Sequence, residues 1–169
     1  MDRKKSKAIA ILSQKSHWDY IPMLEGFSDA FDFEVCLLDG DVGSSLPSTV
    51  YQIYIYKEDN KVPGHLRGIE LKIQDTSAIF IMDHWSMASF QGARLASKYD
   101  IPLFTIFSGI QKNYLSDDAK TQAVKFDIFR TSEKFYAVSS LSREVLICEG
   151  VPSQKIELIP FKLHMEKQG

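Results

Sequence analysis

Three short clusters in this chain hold side chains suited to chemistry: Asp83-His84-Trp85, Ser108-Gly109 and His17-Trp18. Asp83, His84 and Trp85 directly follow the apolar run 78–82, so the side chains are expected to emerge where a strand ends. An imidazole titrates near pH 6.5 and can exchange a proton with, or orient, a bound hydroxyl, which makes His84 the natural candidate. Ser108 can donate a hydrogen bond, and Gly109 lets a ligand approach the backbone closely. His17 and Trp18 combine a polar ring with a flat apolar face that can stack on a sugar. Each cluster also has a plain structural reading. Asp83 can cap the following helix with Trp85 packed beneath it, Ser108-Gly109 can be a simple strand-to-loop turn, and a loop Trp can pack locally. Lys15 and Lys112 could meet a phosphate or simply be solvated, while His65 and His164 read as surface residues.

Several chemistries find no support in the sequence. No GxSxG elbow, Walker loop or HExxH pattern is present, and no histidine-cysteine cluster suggests a metal. Cys36 and Cys148 each sit in an apolar stretch, unlike a disulfide pair, so a reducing, cytoplasmic setting is expected. A net charge of -2 gives no footprint for nucleic acid. The basic run Arg3, Lys4, Lys5 and Lys7 reads as a solvated lead-in, with peripheral contact to anionic lipid as the alternative. The N-terminus lacks the apolar core of a signal peptide, and no window approaches the ~20 apolar residues of a spanning helix.

Stepping outward from the clusters, the chain alternates strands and helices. Residues 8–12 form an uncharged run typical of a central parallel strand, followed by a polar loop over 13–19. Ile21, Leu24, Phe27 and Phe31 recur every three or four positions, which predicts a helix. Residues 33–38 read as a strand ended by Asp39-Gly40-Asp41, 42–49 as a loop, and 50–56 as a β-rich strand. A short helix over 66–73, a buried strand over 78–82 and a helix over 86–99 follow, the last with Ala88, Gly92, Ala93 and Ala96 letting it lie close to a sheet. Residues 101–107 form a strand and 119–134 a helix. The chain closes with a strand over 135–138, a helix capped by Ser139 or Ser140, a stop at Gly150 and Pro152, and a strand over 155–159. In that helix Leu141, Val145 and Cys148 recur at helical spacing, leaving Arg143 and Glu149 for solvent. In the last strand Ile156, Leu158 and Ile159 point to a covered sheet. The 169 residues are expected to form one α/β domain, a three-layer Rossmann-like sandwich on a mostly parallel sheet.

Three stretches carry a family resemblance: IFIMDHWSMASFQGARLASKYDIPLFTIFSG over 79–109, AVSSLSREVLICEGVPSQKIELIP over 137–160 and, more weakly, AIAILSQ over 8–14. Together with the element order they resemble the N-terminal half of GT-B glycosyltransferases, of the glycosyltransferase family 4 type. The resemblance implies a domain that shapes the acceptor side of a cleft, facing a second domain that holds most of a nucleotide-sugar donor. It further implies transfer of a glycosyl group to a hydroxyl acceptor with retention at the anomeric carbon, the donor being a co-substrate with no other cofactor. Acceptor contacts then fall to Asp83, His84, Ser108, Gly109, His17 and Trp18, and Ser139 lies toward the donor. The catalytic residues are not identified.

The chain departs from the family pattern at three places. Gln14 to Trp18 replace a glycine pair whose amides would approach phosphates, Ser108 stands where a histidine often precedes the glycine, and Phe161-Lys162 replace Asn-Gly. Because the sequence stops just past Pro160, the donor-binding C-terminal domain is expected in cis or in trans, without which transfer should be inefficient. The competing expectation is a non-catalytic α/β binding module whose apolar rim includes Phe161 and Leu163.

Overall fold

The computed structural model describes residues 4–13, 15–38, 51–109 and 118–159, and of 15–20 the backbone alone. The side chains of Lys15, His17 and Trp18, the 39–50 turn and loop, Lys112, Phe161 to Leu163 and His164 lie outside the described residues.

Seven strands form one sheet in the order β3-β2-β1-β4-β5-β6-β7. They are β1 (Ser6–Leu12), β2 (Phe31–Leu38), β3 (Gln52–Tyr56), β4 (Ala78–Ile81), β5 (Leu103–Phe107), β6 (Lys134–Ala137) and β7 (Ile156–Leu158). Every pairing is parallel, with Ile9 of β1 in register with both Glu34 of β2 and Ile79 of β4. The uncharged runs explain this arrangement, because a parallel strand buries both of its faces. In β1, Ile9 and Ile11 enter the core on one side while Ala8, Ala10 and Leu12 enter the core on the other. The order runs outward from β1 to β3 in one direction and from β4 to β7 in the other, so the switch point of the sheet lies between β1 and β4.

One face is covered by α1 (Glu70–Ile73), α2 (Met87–Tyr99), α3 (Ala119–Thr131) and α4 (Ser140–Cys148). Against the other lies the segment Lys15–Phe27, whose Ile21 and Leu24 are buried, giving the third layer of the Rossmann-like α/β sandwich. The expected helix there takes tight 3-10 turns, and Pro22, which has no N–H to give an α-helix, sits inside them. Phe31 does not extend the stripe but opens β2. Its ring lies 5.6 Å from that of Phe80, which also meets Phe27, Phe33 and Phe104 at centroid distances of 4.9 to 5.1 Å.

The small-residue face of α2 does bring the helix onto the sheet. A Cβ built on Gly92 would lie 3.0 Å from Cγ2 of Ile81 and 3.1 Å from Cδ1 of Ile11. Alanine there would set a gain of about 1 kcal/mol in helix propensity against this crowding. Valine adds two methyl groups where even one carbon is tight. Gly92→Val is therefore expected to destabilise the fold by about 2 kcal/mol in urea unfolding monitored by circular dichroism.

The closing unit forms as expected, with one shift of phase. Ser139 caps α4 by accepting the Ser142 N–H at 3.1 Å, and Gly150 follows the helix at φ +102°. The buried residues of α4 are Ser142, Val145 and Leu146, whereas Leu141 is 45% exposed and Cys148 is exposed. In β7, Ile156 is buried and Ile159 follows it into the core, but Leu158 is exposed. Among the described residues no helix is long and apolar enough to cross a membrane.

Candidate functional site

Of the residues singled out from the sequence, Asp83 to Trp85 follow β4 and Ser108 and Gly109 follow β5, at the carboxyl edge of the sheet that contains the switch point. Asp83, buried beyond the end of β4, organises this edge. Its Oδ1 accepts the backbone N–H of Ser86 at 2.8 Å and that of Trp85 at 3.1 Å. Its Oδ2 accepts the hydroxyl of Ser13, just past β1, at 3.2 Å. One carboxylate thus shapes the turn into α2 and ties together the two strands that flank the switch point. Ser86 then caps the helix by accepting the Ser89 N–H at 3.1 Å. Asp83 therefore holds the turn ahead of the cap, and the capping oxygen itself belongs to Ser86.

His84 does not emerge into the cleft. It is 2% exposed, because the turn held by Asp83 directs its ring down between the sheet and α3. The imidazole packs edge-on to Phe107 at 4.8 Å and stacks on Phe129 at 5.6 Å. Its Nε2 meets Oε2 of Glu149 at 2.5 Å, and Lys125 donates to Oε1 of the same carboxylate at 3.2 Å. An ionised Glu149 requires a hydrogen on Nε2, and Nδ1 has no hydrogen-bond partner among the described residues.

Glu149 was expected to face solvent, yet its side chain is only 5% exposed. It ends α4, where the helix dipole disfavours a negative charge. Burial by itself would raise its pKa, but the hydrogen bond and charge from His84 and those from Lys125 hold it below the ordinary carboxylate range. Glu149 and Lys125 are the two members of this cluster that sequence reading missed. The signal was the helical stripe Ser142, Val145, Leu146, Glu149, one position out of phase with the stripe built on Leu141. Lys125 likewise shares a buried face with Val124, Ile128 and Phe129.

Trp85 does emerge from the strand end: it is 47% exposed and does not take the alternative place beneath α2. Ser108 and Gly109 lie half-buried directly after β5. A Cβ on Gly109 would collide with the Phe107 ring, so the glycine leaves room for a ring of its own chain. Ser139, besides its capping bond, has its Oγ 3.0 Å from Oγ of Ser142. His65, read as a surface residue, is half-buried.

Two open grooves lie away from this edge. One, of about 460 Å³, runs between the C-terminal parts of α2 and α3 beside Arg94 and Arg130; the other, of about 440 Å³, lies beside Tyr54, Tyr56 and Lys72. Neither contains a candidate residue.

Neither a protein-family model nor a curated protein matches the chain in sequence. Solved structures do match in fold. Anabaena Alr3699/HepE in complex with UDP-glucose superposes with a TM-score of 0.71 at 14% identity, over 90% of this chain and 43% of that one. UDP-GlcNAc 2-epimerase from Methanocaldococcus jannaschii gives 0.62 at 15% identity, over 90% and 45%. UDP-N-acetylglucosamine 2-epimerase from Rickettsia bellii gives 0.61 at 14%, over 90% and 44%. The chain thus spans less than half the length of these proteins. What it shares with them is the Rossmann-like α/β fold of one half of a GT-B architecture.

Proposed function

We propose that this chain is the acceptor-side half of a nucleotide-sugar-dependent glycosyltransferase of the GT-B type. The observation that carries the reading is the match to a single half of a protein bound to UDP-glucose, over 90% of this chain and 43% of that one. The other neighbours, whose names specify UDP-GlcNAc 2-epimerases, support a nucleotide sugar as the common ligand class. Family 4 membership is the finer part of the proposal, and it rests on the stretches 79–109 and 137–160.

In this reading the edge formed by Ser13, Asp83, Trp85 and Ser108 faces the acceptor. Asp83 shapes the cleft through the backbone, and Ser108 is the closer candidate for a hydroxyl contact. His84 acts from behind, because its ring is buried beneath the turn. His17, Trp18 and Gly109 remain candidates for acceptor contacts, and Ser139 for the donor side. Catalysis would rest on positioning and on stabilising the leaving diphosphate, chiefly by a second domain supplied in cis or in trans. A cytoplasmic setting belongs to the same proposal. It is supported by the two free cysteines, of which Cys36 is pushed up to about 12 by burial and is thus unreactive.

The test is to measure UDP-glucose and UDP-GlcNAc binding by calorimetry, and transfer to a panel of sugar alcohols and glycosides. Both are measured for the chain alone and after joining it to a candidate C-terminal half. Weak binding alone with transfer restored on joining is expected. No binding and no transfer in either setting would leave the non-catalytic module as the reading.

A further inference from the structure

The turn from β4 into α2 buries all of its side chains but one. Met82, Asp83, His84 and Ser86 are 1%, 4%, 2% and 8% exposed, whereas Trp85 between them is 47% exposed. Its backbone is held in place, since its N–H is donated to the buried carboxylate of Asp83 and the next residue caps a helix. A large ring left half in water forgoes part of the stabilisation that burial gives, and it does so beside the switch point, where ligands of open parallel sheets bind. Its companions across β1 and β4 are a serine hydroxyl and a buried carboxylate. That carboxylate disfavours an anionic diphosphate beside the indole and suits a neutral polyhydroxylated ring, whose apolar C–H face can lie on the indole while its hydroxyls face water or polar groups.

We propose that Trp85 is the stacking platform for a pyranose ring, so that the acceptor taken by this edge is a saccharide rather than a non-sugar alcohol. This rests on the acceptor-side reading above and adds to it the substrate class and the residue that selects it. The held backbone matters, because only the two side-chain torsions of the indole remain to be ordered on binding.

The experiment labels the chain with 5-fluorotryptophan, which gives one fluorine resonance for each of its two tryptophans. The Trp85 signal is the one absent from Trp85→Leu. Methyl glycosides of glucose, galactose and N-acetylglucosamine are titrated separately, with UDP alone and glycerol in parallel arms. At least one glycoside is expected to shift the Trp85 signal, with UDP alone and glycerol leaving it in place. Affinity for that glycoside should fall about tenfold in Trp85→Leu and return to within about twofold in Trp85→Tyr, as expected for loss and retention of an aromatic stacking face.

A Trp85 signal that moves with UDP but with no glycoside would overturn the proposal in favour of base stacking. A signal that responds only to protein concentration would overturn it in favour of a contact between copies, and a signal that nothing moves overturns it outright. Calorimetry with UDP-glucose separates the two levels. If UDP-glucose binds unchanged in Trp85→Leu and no glycoside moves the resonance, the saccharide platform fails while the nucleotide-sugar reading stands. If a glycoside binds on Trp85 but UDP-glucose does not bind at all, the reverse holds.

Discussion

Glu149→Leu is expected to destabilise the domain by about 3 to 4 kcal/mol, although leucine is apolar and enters a buried site. Removing the carboxylate takes the Glu149 charge away from the Lys125 ammonium, whose side chain is 11% exposed, and takes the Glu149 acceptor away from Nε2–H of His84. Breaking one side of a buried pair costs about 3 to 5 kcal/mol, because the orphaned charge keeps its desolvation penalty. The double variant Lys125→Met with Glu149→Leu removes both charges and is expected to recover most of the loss. Urea unfolding of the two singles and the double gives the coupling directly. A Glu149→Leu loss below about 1 kcal/mol would mean that the cluster contributes little.

The same cluster sets a pH dependence. The folded state holds the Glu149 pKa below its ordinary value, about 4.3 in an unfolded chain. The stability it contributes is therefore fully present above that value and is lost as pH falls through the lower, folded one. Glu149→Gln should flatten this part of the acid limb.

Asp83→Ala is the second large effect, expected at about 3 kcal/mol. The substitution strips acceptors from the Ser86 and Trp85 N–H groups and from the Ser13 hydroxyl, in a site where water has little access. Asp83→Asn keeps one carbonyl oxygen for the two backbone donors, and its amide can donate to Ser13 once that hydroxyl rotates. A loss of only about 1 kcal/mol is expected there. Equal stabilities for the two variants in thermal and urea unfolding would contradict the role assigned to this carboxylate.

The sheet was legible because its cause is local. Runs without charge, such as Ala8 to Leu12 and Ala78 to Ile81, can only be satisfied between two covered faces, and Gly150 and Pro152 punctuate the last helix whatever lies around it. The phase of α4 was harder to read. Leu141, Val145 and Cys148 make a plausible apolar stripe, but the buried face is Ser142, Val145, Leu146 and Glu149. Choosing it requires knowing that a carboxylate at the helix end meets Lys125 and His84, which come from 24 and 65 residues away. His84 was misjudged for a related reason. A polar ring after a strand reads as facing a cleft, and its inward direction follows from contacts with Phe107, Phe129 and Glu149 that lie far along the chain. The candidate edge could therefore be found from the strands, while the direction of each side chain depended on long-range pairs.

The most direct measurement is a titration of the isotopically labelled chain with the methyl glycosides as acceptor analogues, followed residue by residue in amide correlation spectra. Perturbations are predicted to cluster on Ser13, Asp83, Trp85, Ser86 and Ser108, at the carboxyl ends of β1, β4 and β5. Perturbations confined to the groove beside Arg94 and Arg130, or an unchanged spectrum at saturating ligand, would contradict the account.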